Sequence, residues 1–407
     1  MEIKLPNYIK HVLDKLNKHG YAAYVVGGCV RDSLLGIEPK DWDVTTDATP
    51  DETEKIFSHT IPTGKRFGTI TVICHEKESK ETYSVEVTTF RADGEYLDGR
   101  RPEKVTFGKD IIEDLSRRDL TINAMAYNEL VGLVDPFNGQ QDLENKIISF
   151  VGNTEDRIKE DALRILRAIR FTFRLDFNMC SIAENVLDSM ASLLDKVSKE
   201  RVHDELIQIL SYLKDKQYED FVHFRIPNIF KYIFEIENVG SIQEHLFDDI
   251  PYTLKLAYIL RCKKLYEAEI WLRKYKFSNN NIEEIITFIN LINDMNNIEI
   301  NENFNLGIFI KNLLRTYDEI YVIRYFKYYC KGAMAYNINQ YIVEPYKVKH
   351  LKLTGENLIE KGLQGKQIGE CLEYLLDYVI TDPELNNEED LYNIVDRFIL
   401  YKKKETT

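Results

Sequence analysis

The chain has 407 residues, 44% hydrophobic and 29% charged, with 53 Lys and Arg against 67 Asp and Glu for a formal net charge of −14. That length exceeds one ordinary core and predicts two to four domains, and the composition excludes disordered and fibrous classes. Six scattered cysteines without a C-x-x-C pair argue against a disulfide scaffold and structural zinc. No apolar run suits a membrane span, and the charged N-terminus is unlike a signal peptide, so a cytoplasmic protein is expected.

In chain order, "AAYVV" ending at Val26 reads as a short strand, followed by Gly27-Gly28 and a helix over Val30–Leu35. "KDWDVTT" reads as a second strand. Thr49-Pro50 then supplies a cap and first-turn proline for a helix over Asp51–Phe57. "TITVI" and "YSVEVTTF" alternate β-branched residues as strands do. After Gly152 the character changes: "NTEDRIKEDALRILRAIRFTFRL" opens a series of amphipathic helices that continues almost to the end. The expected fold is α+β, a small head with a mixed sheet followed by a long all-helical remainder.

Several residues in the head suggest chemistry. Glycines between a strand and a helix allow close approach of backbone to a ligand, and Arg31 adds a charged donor. Asp41 and Asp43 are two apart on a strand, so both carboxylates share a face while Trp42 and Val44 take the other. Like charges that close need a cation or solvent, and Mg²⁺ takes one or two carboxylates plus substrate phosphates. Glu86 faces opposite to Val85 and Val87 and is the candidate third carboxylate of a two-metal site. Taken singly, each feature also reads as an ordinary tight turn or a solvated strand face.

The acidic balance disfavours a nucleic-acid partner overall, yet two tracts are locally basic. Arg157–Arg174 holds six Lys or Arg against two acids, and Val322–Lys352 holds six against Glu344 alone, with seven aromatics among them.

The ordered motifs "GGCVRDSLLG", "DWDVTTDATP", "RRDLTINAMAYN", "GLVDPFNGQQDLENKIISFVG" and "EDALRILRAIRF" together resemble the class II branch of the polymerase-β-type nucleotidyltransferases. That branch comprises the CCA-adding tRNA nucleotidyltransferases and the related bacterial poly(A) polymerases. The resemblance runs from about Tyr24 to Leu210. It implies a nucleotidyltransferase head at 1–148, a helical neck at 149–210, a helical body at 211–325 and a tRNA-binding helical tail at 326–407.

The resemblance also implies roles. Gly27, Gly28 and Arg31 would hold a triphosphate, Asp41 and Asp43 the metal pair, and Glu86 the third catalytic carboxylate. Arg118, Asp119 and Asn123 would contact ribose and phosphates, with Asp119 and Asn123 expected one helical turn apart. Asp161 and Arg164 would form a protein template for the incoming base, expected on one helix face, with Arg167 next in the nucleotide-binding set. Cytosine and adenine share an exocyclic amino donor beside a ring-nitrogen acceptor. A carboxylate accepts from the first and a guanidinium donates to the second, whereas guanine and uracil reverse both groups. Glu200, Arg201 and Glu205 are expected as scaffolding between helices.

The expected activity is template-independent addition of C, C and A from CTP and ATP to tRNA 3′ ends with Mg²⁺, without a membrane or an obligate protein partner. The segment "FRADGEYLDGRRPEKVTF" fills the place of the loop that CC-only enzymes lack, with Gly94 and Gly99 as hinges. It leaves full CCA addition, A-only addition and poly(A) synthesis open, with a catalytically silent RNA-binding relative as a further alternative. "GLQGKQIG" resembles a tail element of CCA-adding enzymes, with Gly362 and Gly365 turning between helices.

Overall fold

The fold is that of a computed structural model. It describes residues 3–75, 81–92, 106–219, 222, 225–237, 247–298, 304–328 and 333–405. The loop segment 93–105, with Gly94 and Gly99, lies outside the described residues. The chain divides into two compact units, residues 1–242 and 243–407.

The first unit begins with helix α1 (Asn7–Lys18), whose Ile9, Val12, Leu13 and Leu16 recur at helical spacing and are buried. Strand β1 (Ala23–Val26) leads through Gly27 into α2 (Gly28–Leu34), and β2 (Asp43–Thr46) follows. The expected helix start at Thr49 is observed. In α3 (Pro50–Ile56) Thr49 and Glu52 form a reciprocal capping box, with Pro50 at the first helical position. Strands β3 (Thr60–Gly64), β4 (Thr69–His75) and β5 (Thr82–Thr89) come next, then a short ribbon of β6 (Arg91–Ala92) and β7 (Thr106–Phe107). Helix α4 (Ile111–Ser116), strands β8 (Ala126–Asn128) and β9 (Gly132–Val134), and α5 (Gly139–Asn145) complete the head.

Seven strands form one mixed sheet in the order β3-β4-β5-β2-β1-β8-β9. Within this sheet, among the described residues, only β2 and β5 run parallel, in the register Asp43↔Glu86 and Val44↔Val87; the other neighbours are antiparallel. Alternation separates the faces, with Val44, Val85 and Val87 buried while Asp43 and Glu86 are exposed. Each buried aliphatic of this kind contributes about 1.5–3 kcal/mol, which pins the register and with it the position of both carboxylates.

Beyond the head, β10 (Ile147–Ile148) pairs in parallel with β11 (Asn178–Met179) around helices α6 (Thr154–Glu160) and α7 (Arg164–Leu175). Helices α8 (Ser181–Ser189) and α9 (Lys199–Tyr212) follow, with α9 packed along α7.

The regular elements of the second unit, among its described residues, are all helices. One of its cores joins Leu358, Cys371, Leu375, Val379, Leu391 and Val395. Tyr325, Phe326 and Tyr346 are buried, so these three aromatics of the basic tract serve packing rather than an exposed stacking surface. The helices Gly355–Glu360 and Lys366–Thr381 are joined as the glycine spacing predicts, and Gly365, at φ 56, takes the left-handed region just before the second.

Candidate active site

Gly27 ends β1 at φ 79 and ψ −124, a conformation costly for any residue with a Cβ. A Cβ there would also lie 3.1 Å from Nη1 of Arg118. The glycine therefore allows the chain to turn directly beneath a guanidinium. One turn into α2, Arg31 is only 3% exposed. Its Nε and Nη2 donate to Oδ1 of Asp32 at 2.8 and 2.6 Å, and its Nη1 donates to Oδ1 of Asn123 at 2.5 Å. Arg174 on α7 reaches the other oxygen of Asp32 at 3.4 Å. Asp32, to which the sequence assigned no role, thus joins the glycine turn to the helical neck.

Asp41 precedes β2 and Asp43 opens it. Both are exposed and Trp42 and Val44 are buried, so the expected shared face is observed even though only Asp43 lies within the strand. Asp43 faces its register partner Glu86 on β5. Although Asp43 as a residue is exposed, the surrounding protein partly desolvates its carboxyl and raises it above its ordinary range; the charges of Glu86 and Asp41 raise it further, while Arg118 pulls it down. Among the described residues no three His, Cys, Asp or Glu side chains form a cage able to hold a metal by themselves. The donor set fits a hard cation completed by substrate phosphates, for which one or two carboxylates suffice.

Asp119 and Asn123 are close, but not as helix neighbours. Leu120 forms a β-bridge with Phe150, Val151 donates to the Asp119 carbonyl, and a 3₁₀ turn covers Thr121–Asn123. The segment is held extended by pairing to 149–151, which a local helical reading does not foresee. Asn123 Nδ2 is 3.4 Å from Oδ1 of Asp119, and Arg167 Nε donates to Oδ2 at 2.6 Å. Burial would raise the Asp119 carboxyl, but the Arg167 charge and hydrogen bond, helped by the Leu120 amide, hold it at about 2.

Asp161 and Arg164 do not share a helix face. Asp161 ends α6, and its Oδ1 accepts from the backbone N–H of Leu163 at 3.0 Å. This local side-chain turn breaks the helix before Arg164 opens α7. The two side chains also have different partners. Arg201 on α9 grips Asp161 at 2.7 Å. Arg164 meets Glu160 at 2.8 Å and, with Arg157, donates to the carbonyls of Arg117 and Ser116 at the end of α4. These arginines cap the helix that presents Arg118 and Asp119.

Three further residues belong to this arrangement. Asp114, fully buried on α4, binds Arg117 at 2.8 Å, Arg118 at 3.1 Å and the Arg91 amide at 3.2 Å. Its spacing from the two arginines, i,i+3 and i,i+4, was the available signal. Glu205 pairs with Arg170 at 2.7 Å and lies 3.8 Å from Arg167. Arg201 and Glu205 thus tie α9 to α7 and its approach, as expected of scaffolding. Phe171 lies beneath the arginines of α7 and carried no sequence signal beyond its helical position.

Among the described residues no helix is long and apolar enough to cross a membrane. Residues 23–149 match the poly A polymerase head domain family, and residues 253–395 match the putative tRNA nucleotidyltransferase domain 2 family. The chain is 36% identical over 324 residues to a CCA-adding enzyme of Staphylococcus aureus, covering 78% of each. It is also similar to the crystal structure of the Bacillus stearothermophilus CCA-adding enzyme in complex with CTP, at a TM-score of 0.71, 25% identity and 98% coverage of both chains. The Thermotoga maritima CCA-adding enzyme complexed with tRNA shares the fold at a TM-score of 0.68, 24% identity and 97% coverage of both.

Proposed function

The chain belongs to the CCA-adding tRNA nucleotidyltransferases, and from that premise we propose how its own residues divide the work. The enzyme adds C, C and A from CTP and ATP to tRNA 3′ ends. The observation that carries the assignment of residues is one continuous set of contacts in the first unit. Gly27 lies under Arg118, Arg31 joins Asn123, Asn123 joins Asp119, and Asp119 joins Arg167, while Asp43 and Glu86 stand side by side on neighbouring strands.

In this reading Gly27, Gly28, Arg31 and Arg118 receive the triphosphate. Asp119 and Asn123 face the ribose hydroxyls, and Arg167, which holds Asp119 ionised, contacts the incoming nucleotide beside it. Asp41 and Asp43 hold Mg²⁺ with Glu86 beside them; the ion, when bound, polarises the tRNA 3′-hydroxyl and neutralises charge on the phosphates. Asp161 accepts from the exocyclic amino group of cytosine or adenine and Arg164 donates to the ring nitrogen. Both must exchange partners to do so, Asp161 leaving Arg201 and Arg164 leaving Glu160. The helical tail from 326 onward grips the body of the tRNA, through a surface other than its buried aromatics, and the work is done in the cytoplasm.

A tRNA transcript ending before its CCA, supplied with Mg²⁺, CTP and ATP, tests the reading on a sequencing gel. Growth by three nucleotides ending in CCA is the expected product. A single A added only to a CC-ended transcript, or a long A ladder, would refute it.

A further inference from the structure

Three arginines near the glycine turn gather around one aromatic ring. Phe171, buried on α7, has the guanidinium carbon of Arg31 at 4.9 Å from its ring centroid, that of Arg167 at 5.9 Å and that of Arg170 at 4.6 Å. The arginines come from two elements far apart in sequence, α2 and α7, and each also meets a carboxylate: Asp32, Asp119 and Glu205 respectively. Crowded cations oppose one another. Burial weakens the hold of Arg31 and Arg170 on their protons, and neighbouring arginines add to that effect. An aromatic face attracts cations through its quadrupole without carrying net charge. A further carboxylate in its place would attract the guanidiniums but repel a triphosphate; the ring does the first without the second.

We propose that Phe171 is a positioning residue for nucleotide binding, its ring face setting the spacing at which Arg31 and Arg167 meet the incoming nucleotide. This rests on the reading that those two arginines contact the nucleotide. The ring touches no substrate itself. It acts equally on CTP and ATP, because it lies behind the arginines rather than beside the base.

The test uses the full-length enzyme, tRNA transcripts lacking CCA or A, and steady-state KM and kcat for CTP and ATP. Phe171→Leu keeps an apolar side chain and removes the ring. Replacing Phe171 by difluoro- and pentafluorophenylalanine keeps the shape and progressively removes the negative face, so the question is still answered should the leucine variant not fold. The expected result is a KM for both nucleotides that rises with fluorination, on the order of tenfold for the pentafluoro ring or about 1.4 kcal/mol, with kcat and base selectivity unchanged. An unchanged KM across the fluorinated series would overturn the proposal and leave Phe171 as space-filling. Arg31→Ala is measured in parallel. Unchanged KM in that variant would remove the underlying nucleotide-contact reading, and the proposal with it, which distinguishes the two failures.

Discussion

Around Arg31 every charge is answered within the chain, whereas at the start of β2 and the middle of β5 carboxylates stand beside carboxylates. Arg31 is shared by Asp32 and Asn123, Arg167 by Asp119 and Glu205, and Arg118 by Asp114. Among the described residues neither Asp41 nor Asp43 has a salt bridge, and burial with the charges of Glu86 and Asp41 pushes the Asp43 carboxyl upward against the pull of Arg118. The first region is organised before any ligand arrives, so little ordering entropy remains to be lost on binding. The second keeps like charges side by side, a repulsion that in the proposed reading a cation and phosphates would relieve. In the proposed reading one site accommodates a highly charged substrate in two ways: the protein holds the arginines in place, and what binds completes the carboxylate pair.

The largest effect is expected at the carboxylates. Asp41→Ala with Asp43→Ala should abolish nucleotide addition by at least about a thousandfold while tRNA binding persists. Because the substitution relieves repulsion, the thermal midpoint should not fall; gel extension, a binding isotherm and a melting curve check the three claims. Asp161→Ala comes next. It should erode discrimination against UTP and GTP by about a hundredfold, read as the ratio of kcat/KM for each nucleotide against CTP, and unchanged selectivity would sink the base template.

The smallest expected effect depends on pH. Asp119 has a folded value of about 2 against an ordinary 3.8. A depressed carboxylate contributes stability that is fully present above the unfolded value and lost as pH falls through the folded one. Asp119→Asn should therefore lower the unfolding free energy by about 2 kcal/mol near neutral pH. In urea titrations that difference should shrink between about pH 4 and 2. A difference that does not vary with pH would mean the Asp119–Arg167 pair contributes through shape rather than charge.

Much of the site could be read from local pattern. The strand ending at Val26, the glycine turn, the Thr49 capping box and the shared face of Asp41 and Asp43 follow from alternation, propensity and capping chemistry, which act over a few residues. Two motifs depart from local pattern. Asp161 and Arg164 were expected on one helix, yet the Asp161 side chain accepts from the Leu163 amide and ends the helix first. Asp119 and Asn123 were expected one helical turn apart, yet pairing with 149–151 stretches that segment. In both, a competing hydrogen bond outweighed helical spacing.

By itself the sequence determined which residue types stand together along the chain, and hence the α+β head, the helical remainder and the identity of the candidate site residues. Only the tertiary structure decided which of them meet. Arg31 finds Asn123 across 92 positions and Arg174 finds Asp32 across 142. Partners at that separation are chosen by how the buried faces of the sheet and of α7 pack. A guanidinium carried inward by that packing must then find a carboxylate or a carbonyl, because an unpaired buried charge is too costly to leave.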